Sequence, residues 1–129
     1  MSGRKGERHP EDGWPVVAFP DQRAFEDWLA ANEGGGTGLW VKFAKKKSGI
    51  ASITMAQALE ASACFGWVDS KMQGAGENHY ILRYQPRKAR SAWSPRNAAL
   101  AERLIAGGQM RPSGLAQVEA AKASGRWPA

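Results

Sequence analysis

The succession strand, helix, strand, helix, hairpin, helix, helix predicts an α+β domain, a small and mainly antiparallel sheet with about four helices packed on it. Three observations carry this. Apolar or alternating runs near residues 16–19, 39–44, 67–72 and 78–84 have the spacing of strands, four stretches with helical spacing carry cap residues, and a glycine turn joins the last two strands. So few strands disfavour a parallel three-layer fold, and 129 residues is the length of one domain.

Taken in order, the chain begins with polar residues up to Gly13, where Arg4, Lys5 and Arg8 stand against Glu7, Glu11 and Asp12. Residues 1–13 therefore read as a disordered tail and residues 14–129 as the single domain. Val16-Val17-Ala18-Phe19 is the first strand. Asp21 caps a helix in which Phe25, Trp28 and Leu29 share a face, and Asn32 with Gly34-Gly35-Gly36 ends it. Leu39, Val41 and Phe43 alternate with Trp40, Lys42 and Ala44, so the first set faces a core and the second faces solvent.

Residues 45–52 read as a loop. Thr54 and Gln57 form a capping box for a second helix, with Met55, Leu59 and Ser62 or Ala63 inward and Gly66 as its stop. Trp67 to Met72, Gly74-Ala75-Gly76 and Asn78 to Tyr84 form a hairpin with Tyr80, Leu82 and Tyr84 on one face, and Pro86 ends the pairing. A third helix covers about residues 95–105, with Leu100, Leu104 and Ile105 apolar. A fourth starts at Pro112 and runs through Leu115, Val118 and Lys122 to Gly125; Trp127, in the closing tail, is a candidate anchor on the body.

A hydrophobic fraction of 43% with six tryptophans suits a folded chain. Cys64 is the only cysteine, which excludes an intrachain disulfide and fits a reducing compartment. No secretory apolar region or membrane-length apolar run is present, so the expectation is a cytoplasmic protein without membrane insertion. The formal charge is +6, and it is unevenly placed. No acid lies between Glu33 and Glu60, a window holding Lys42, Lys45, Lys46 and Lys47, and none between Glu77 and Glu102, a window holding Arg83, Arg87, Lys88, Arg90 and Arg96. If the windows adjoin in space they form one positive surface, suited to an anionic small molecule, an acidic protein surface or nucleic acid.

The stretch from Pro86 to Asn97 concentrates this charge where a strand hands over to a helix. Ser94 followed by Pro95 reads as an N-cap with proline at the first helical position, which places free backbone N–H groups among Arg87, Arg90 and Arg96. An anion site and a well-capped helix on a solvated basic face both fit that pattern. Asp69 falls on the face of Trp67, within cross-strand reach of Arg83 or Arg87, either as an acceptor at the edge of the site or as a structural Asp–Arg partner. Trp93 is either a stacking platform or a loop anchor. The expected ligand site comprises Lys45, Lys46, Asp69, Arg87, Ser91, Trp93, Ser94, Arg96 and Asn97.

Catalytic signals are weak. Cys64 lies near a helix C-terminus, where the dipole disfavours a thiolate, and has no neighbouring histidine as base. His79 has no companion ligand in its segment, and no phosphate-loop, nucleophile-elbow, zinc-protease or dinucleotide motif occurs. No metal or other cofactor is expected, and the reading is non-enzymatic.

Phe25-Glu26-Asp27-Trp28-Leu29, Leu39-Trp40-Val41 with Lys45-Lys46, Ala58-Leu59-Glu60, Cys64-Phe65-Gly66-Trp67-Val68-Asp69-Ser70, Pro86-Arg87, Ser91-Ala92-Trp93-Ser94-Pro95-Arg96-Asn97, and the run from Gly108 to Leu115 together resemble the YdeI/OmpD-associated, or bacteriocin-protection, family over about residues 16–127. Arg111 departs from the Thr-type cap expected before Pro112. The resemblance implies a bacterial stress-protection protein, acting against bacteriocins or cationic antimicrobial peptides, with an outer-membrane porin as a partner; it carries over no catalytic residue. A body at +6 would repel a cationic peptide, so protection would act through an anionic ligand or partner. The alternative is nucleic-acid binding by the same basic face.

Overall fold

Leu39, Val41 and Phe43, spaced two apart, turn one side of β3 (Leu39–Ala44) toward the helices and make it the centre of a five-stranded sheet. The structure is a computed structural model that describes residues 7–33, 37–88 and 93–128. The strand order is β1-β2-β3-β5-β4, with β1 (Glu7–Arg8), β2 (Pro15–Ala18), β4 (Trp67–Gly74) and β5 (His79–Pro86). All pairings are antiparallel except β2 with β3, whose crossover is α1 (Gln22–Ala31). With α2 (Met55–Cys64), α3 (Pro95–Ala106) and α4 (Pro112–Ala123), this is the expected α+β domain.

The helix starts follow the cap chemistry. The Asp21 carboxylate accepts the Ala24 N–H, Thr54 and Gln57 form a complete capping box, and the Ser94 hydroxyl accepts the Asn97 N–H behind Pro95. Phe25, Leu29, Leu39, Val41, Phe43, Trp67, Leu82 and Tyr84 form the core between sheet and helices. Alpha-helix α2 is its middle layer, burying Ala58, Ala61 and Ser62 and touching α1, α3, α4 and β4.

Three expectations need correction. The segment read as a disordered tail is structured from Glu7 onward: β1 pairs with β2, and His9 is only 5% exposed, its ring stacked 4.0 Å from Trp40. The Glu11 N–H donates to His9 Nδ1, so Nε2 is the nitrogen that donates to Gln73, at 2.8 Å. Trp40, expected on the solvent face, is consequently 0% exposed. The polar composition of this segment misled because its polar groups have partners on the sheet. Asp12 accepts from the Trp14 N–H at 2.9 Å, Trp40 Nε1 at 3.1 Å and Arg83 Nε at 3.1 Å, and Arg83 in turn lies 4.0 Å over the Trp14 ring. Finally, Met55 is not inward: it is 39% exposed, because the buried stripe of α2 is built from Ala58, Ala61, Ser62 and Cys64.

Burial alone would raise the Asp12 pKa, but the hydrogen bonds from Trp14, Arg83 and Trp40 and the Arg83 charge bring it below the ordinary carboxylate value. A depressed folded-state pKa contributes stability that is present above the unfolded pKa and lost as pH falls through the folded one. Asp12→Ala is expected to cost about 2 kcal/mol near neutrality, the scale of hydrogen bonds to a charged group. Urea titrations should show that deficit shrinking below about pH 4, where the wild type loses the same interaction. At the α2–α4 crossing, a β-carbon on Gly114 would run into the Cys64 carbonyl oxygen and Met110 Sδ. Alanine is the better helix former by about 1 kcal/mol, but the obstacle is backbone that cannot yield. Gly114→Ala should therefore be net destabilising, by about 1–3 kcal/mol on thermal unfolding.

Candidate functional site

Where β5 ends, the Arg87 N–H donates to the Gly66 carbonyl at 3.0 Å, which ties the strand end to the turn leaving α2. Gly66 makes that turn at a φ of 78°. The Arg87 side chain then runs inward rather than into solvent. It is 7% exposed, with its guanidinium carbon 3.8 Å from the Trp93 ring centroid. Trp93 rests against Trp127 at 5.0 Å; the Trp127 indole N–H donates to Glu102 of α3 at 3.3 Å, and Lys122 of α4 lies 5.0 Å from the Trp127 ring. The Arg87–Trp93 stack is thus held from strand, helices and C-terminal segment at once.

Beside the stack is a cavity of about 10 Å³ lined by Trp67, Asp69, Arg87, Trp93, Asn97 and Leu100, among others. That is room for one water or one ligand atom. Burial lowers the Arg87 pKa, the nearby Arg126 charge lowers it further, and the Asp69 carboxylate offsets part of both. The Trp93 Nε1 is buried and has no hydrogen-bond partner among the described residues.

Of the nine residues expected in the site, Asp69, Arg87, Trp93 and Asn97 converge on this cavity. Ser94 and Arg96 are exposed on the adjoining start of α3, with Ser94 occupied as its cap. Ser91 lies outside the described residues, as does Arg90. Lys45 and Lys46 do not belong to this group. The Lys45 N–H bonds the Asn78 carbonyl just before β5 begins, whereas Arg87 follows its end, a separation of roughly 25–30 Å at about 3.3 Å per residue. One pocket holding both basic windows is not what the sheet builds. Arg83, the other candidate for Asp69, faces the opposite side and pairs with Asp12. Arg126 and Trp127 were not among the expected site residues; the only sequence signal for them was an aromatic after the stop at Gly125.

Cys64 lines a separate open cleft of about 730 Å³ with Glu26, Asp27, Glu33 and Arg111. Burial pushes its thiol up to about 11, Glu26 and Glu60 add to the rise, and Arg111 opposes it. Among the described residues, no three His, Cys, Asp or Glu side chains gather as a metal-binding group, and no helix is long and apolar enough to cross a membrane.

A family model described as "Domain of unknown function (DUF8412)" matches residues 17–117. No curated protein and no solved structure matches the chain. The family match overturns the YdeI/OmpD-associated resemblance, for which no match is found. Its most specific strings sit at local junctions, the α2 stop around Gly66 and the Ser94-Pro95 helix start, whose residues are dictated by backbone geometry that many folds share. The protection role and the porin partner rested on that resemblance and are left without its support.

A thiol raised from 9.0 to about 11 holds about a hundredfold less thiolate at mildly alkaline pH, besides being shielded. Cys64 should accordingly resist Ellman's reagent in the folded protein and react stoichiometrically in guanidinium, as read by absorbance; fast reaction of the folded protein would contradict the burial.

Proposed function

This chain belongs to a domain family of unknown function, DUF8412, so its role must be read from its own residues, and we propose that it is a non-catalytic binding protein that receives an acidic group, carboxylate or phosphate, beside Arg87 and Trp93. The observation that carries the proposal is the Trp93 indole N–H, buried next to Arg87 without an acceptor among the described residues. An unsatisfied buried donor costs about 1–3 kcal/mol, and an incoming oxygen anion would relieve that cost. The electrostatics favour the same occupant. Arg126 and Asp69 both act on the buried Arg87 charge, and removal from water strengthens any ionic contact made there.

The cavity size limits how the ligand enters. About 10 Å³ admits a terminal oxygen and not a whole metabolite, so the rest of the ligand lies over the rim, where Ser94 and Arg96 are exposed. Asp69 acts as a positioning residue that holds the guanidinium. Among the described residues no histidine or thiol lines the cavity, which favours binding over catalysis. We also propose a cytoplasmic setting, supported by a single cysteine that is a buried free thiol.

Trp93→Phe tests the indole, since it keeps a ring under Arg87 while removing the N–H together with part of the indole's bulk. The variant is expected to stay folded and to melt slightly below wild type, because the packing lost against Arg87 and Trp127 outweighs the relief of an unsatisfied donor. Its affinity for the best ligand from a thermal-shift screen of inorganic phosphate, dicarboxylates, nucleoside monophosphates and a short oligonucleotide should fall about tenfold, the value of one good hydrogen bond. Equal binding by wild type and Trp93→Phe would remove the indole from the site. A response to the oligonucleotide alone, steeply weakened by salt, would favour nucleic acid as the ligand instead.

A further inference from the structure

At the opposite end of β5 from Arg87, and independent of that site, two of the four large apolar side chains exposed among the described residues line one groove. These are Ile50 at 49% and Met55 at 39%. With Tyr80 they line an open groove of about 410 Å³, and Tyr80 stacks on Phe43, 5.1 Å away and nearly parallel. Met72, also exposed, is outside that lining but borders it on the sheet: Gly74 lies opposite Tyr80 and Met72 opposite Leu82, so Met72 shares the face of the Tyr80 ring.

Lys45 and Lys46 line the same groove, and Lys47 follows in the 3-10 turn Lys46–Ser48. None of the three takes part in an ion pair among the described residues, and the chain holds no acid from residue 34 to residue 59. The groove therefore joins an apolar floor to an uncompensated positive rim.

We propose that this groove docks an acidic segment of a partner protein, with one or two apolar side chains seated among Ile50, Met55 and Tyr80 and carboxylates against Lys45 and Lys46. Charge complementarity selects the acidic partner, and the flexible Met55 thioether lets the floor adapt to the inserted side chain. Nucleic acid fits less well, since the exposed large apolar groups at the groove are aliphatic and its one ring, Tyr80, is partly buried against Phe43. A bilayer fits less well because two exposed aliphatic side chains in a groove offer little apolar surface to insert.

The test uses the full chain, labelled with nitrogen-15, titrated with the capped peptide Glu-Leu-Glu-Phe-Leu-Glu. Amide shifts are expected around Ile50, Met55, Met72 and Tyr80, with little change near Arg87 and Trp93. The double variant Lys45→Glu/Lys46→Glu should weaken binding at least about tenfold, and Met55→Ser about threefold. Both sets of positions are on the surface, so the fold should persist, which the spectrum itself reports. The proposal is overturned if the double variant binds as tightly as wild type, if the peptide with lysine in place of glutamate binds equally, or if shifts map to the Arg87 site. Binding of phosphatidylserine-containing vesicles or a short single-stranded oligonucleotide in place of the peptide would overturn it equally.

Discussion

The helical layer depends on the absence of bulk along one side of α2. Ala58, Ala61 and Ser62 are buried there, and their short side chains leave room for α1, α3, α4 and β4 to reach the same helix. The closest approach is at its C-terminal end, where Gly114 of α4 stands against the Cys64 carbonyl oxygen. That carbonyl accepts the Arg111 N–H at 3.0 Å, and two residues on, the Gly66 carbonyl accepts the Arg87 N–H. The last turn of α2 thus supplies the acceptors that place both the start of α4 and the arginine at the end of β5. The residue at position 87 is aimed by helix packing as much as by the strand that leads to it.

The sheet treats its two faces differently, and the arginines of β5 show how. Arg83 points away from the helices, where a surface cation would ordinarily be solvated, yet the segment ahead of β2 brings Asp12 and Trp14 onto it and His9 onto Trp40. The result is a second, polar layer in which the His9 ring, the Trp40 indole and the Arg83 guanidinium each have a partner. Arg87 would share the face of Arg83 if the strand continued. Pro86 ends the ladder, and the side chain turns instead to Trp93. Arg83 is paired with Asp12 on one face, and Arg87 is buried over the Trp93 ring, whose N–H has no acceptor among the described residues.

Features governed by neighbours in the chain were legible from residue types. Asp21, Thr54 with Gln57, and Ser94 with Pro95 mark helix starts because a cap is satisfied within three residues. The hairpin and the inward face of β3 follow from turn chemistry and period two. Features requiring a distant partner were not. Nothing near His9 or Asp12 in sequence shows that Gln73, Trp40 and Arg83 will meet them, so a polar segment looked unstructured. Within the candidate site, Asp69, Arg87, Trp93 and Asn97 were readable as one group because they flank a single strand end. Lys45 and Lys46 were joined to them only by sign of charge, and strand order then set them at the far end of β5.

The register of β4 against β5 steps by one residue between Asp69 and Lys71, so that Ser70 is extra. Before the step Trp67 and Asp69 face the helices; after it Met72 and Gly74 do, and Gln73 turns to the other side to meet His9. Regular alternation would have sent Lys71 and Gln73 inward and Met72 outward. The number of residues in this strand is therefore under tighter constraint than their identity. A one-residue deletion there, harmless in an ordinary surface loop, would move the Met72 thioether off the border of the groove and the Gln73 amide off the imidazole in a single step, while leaving Asp69 beside Arg87.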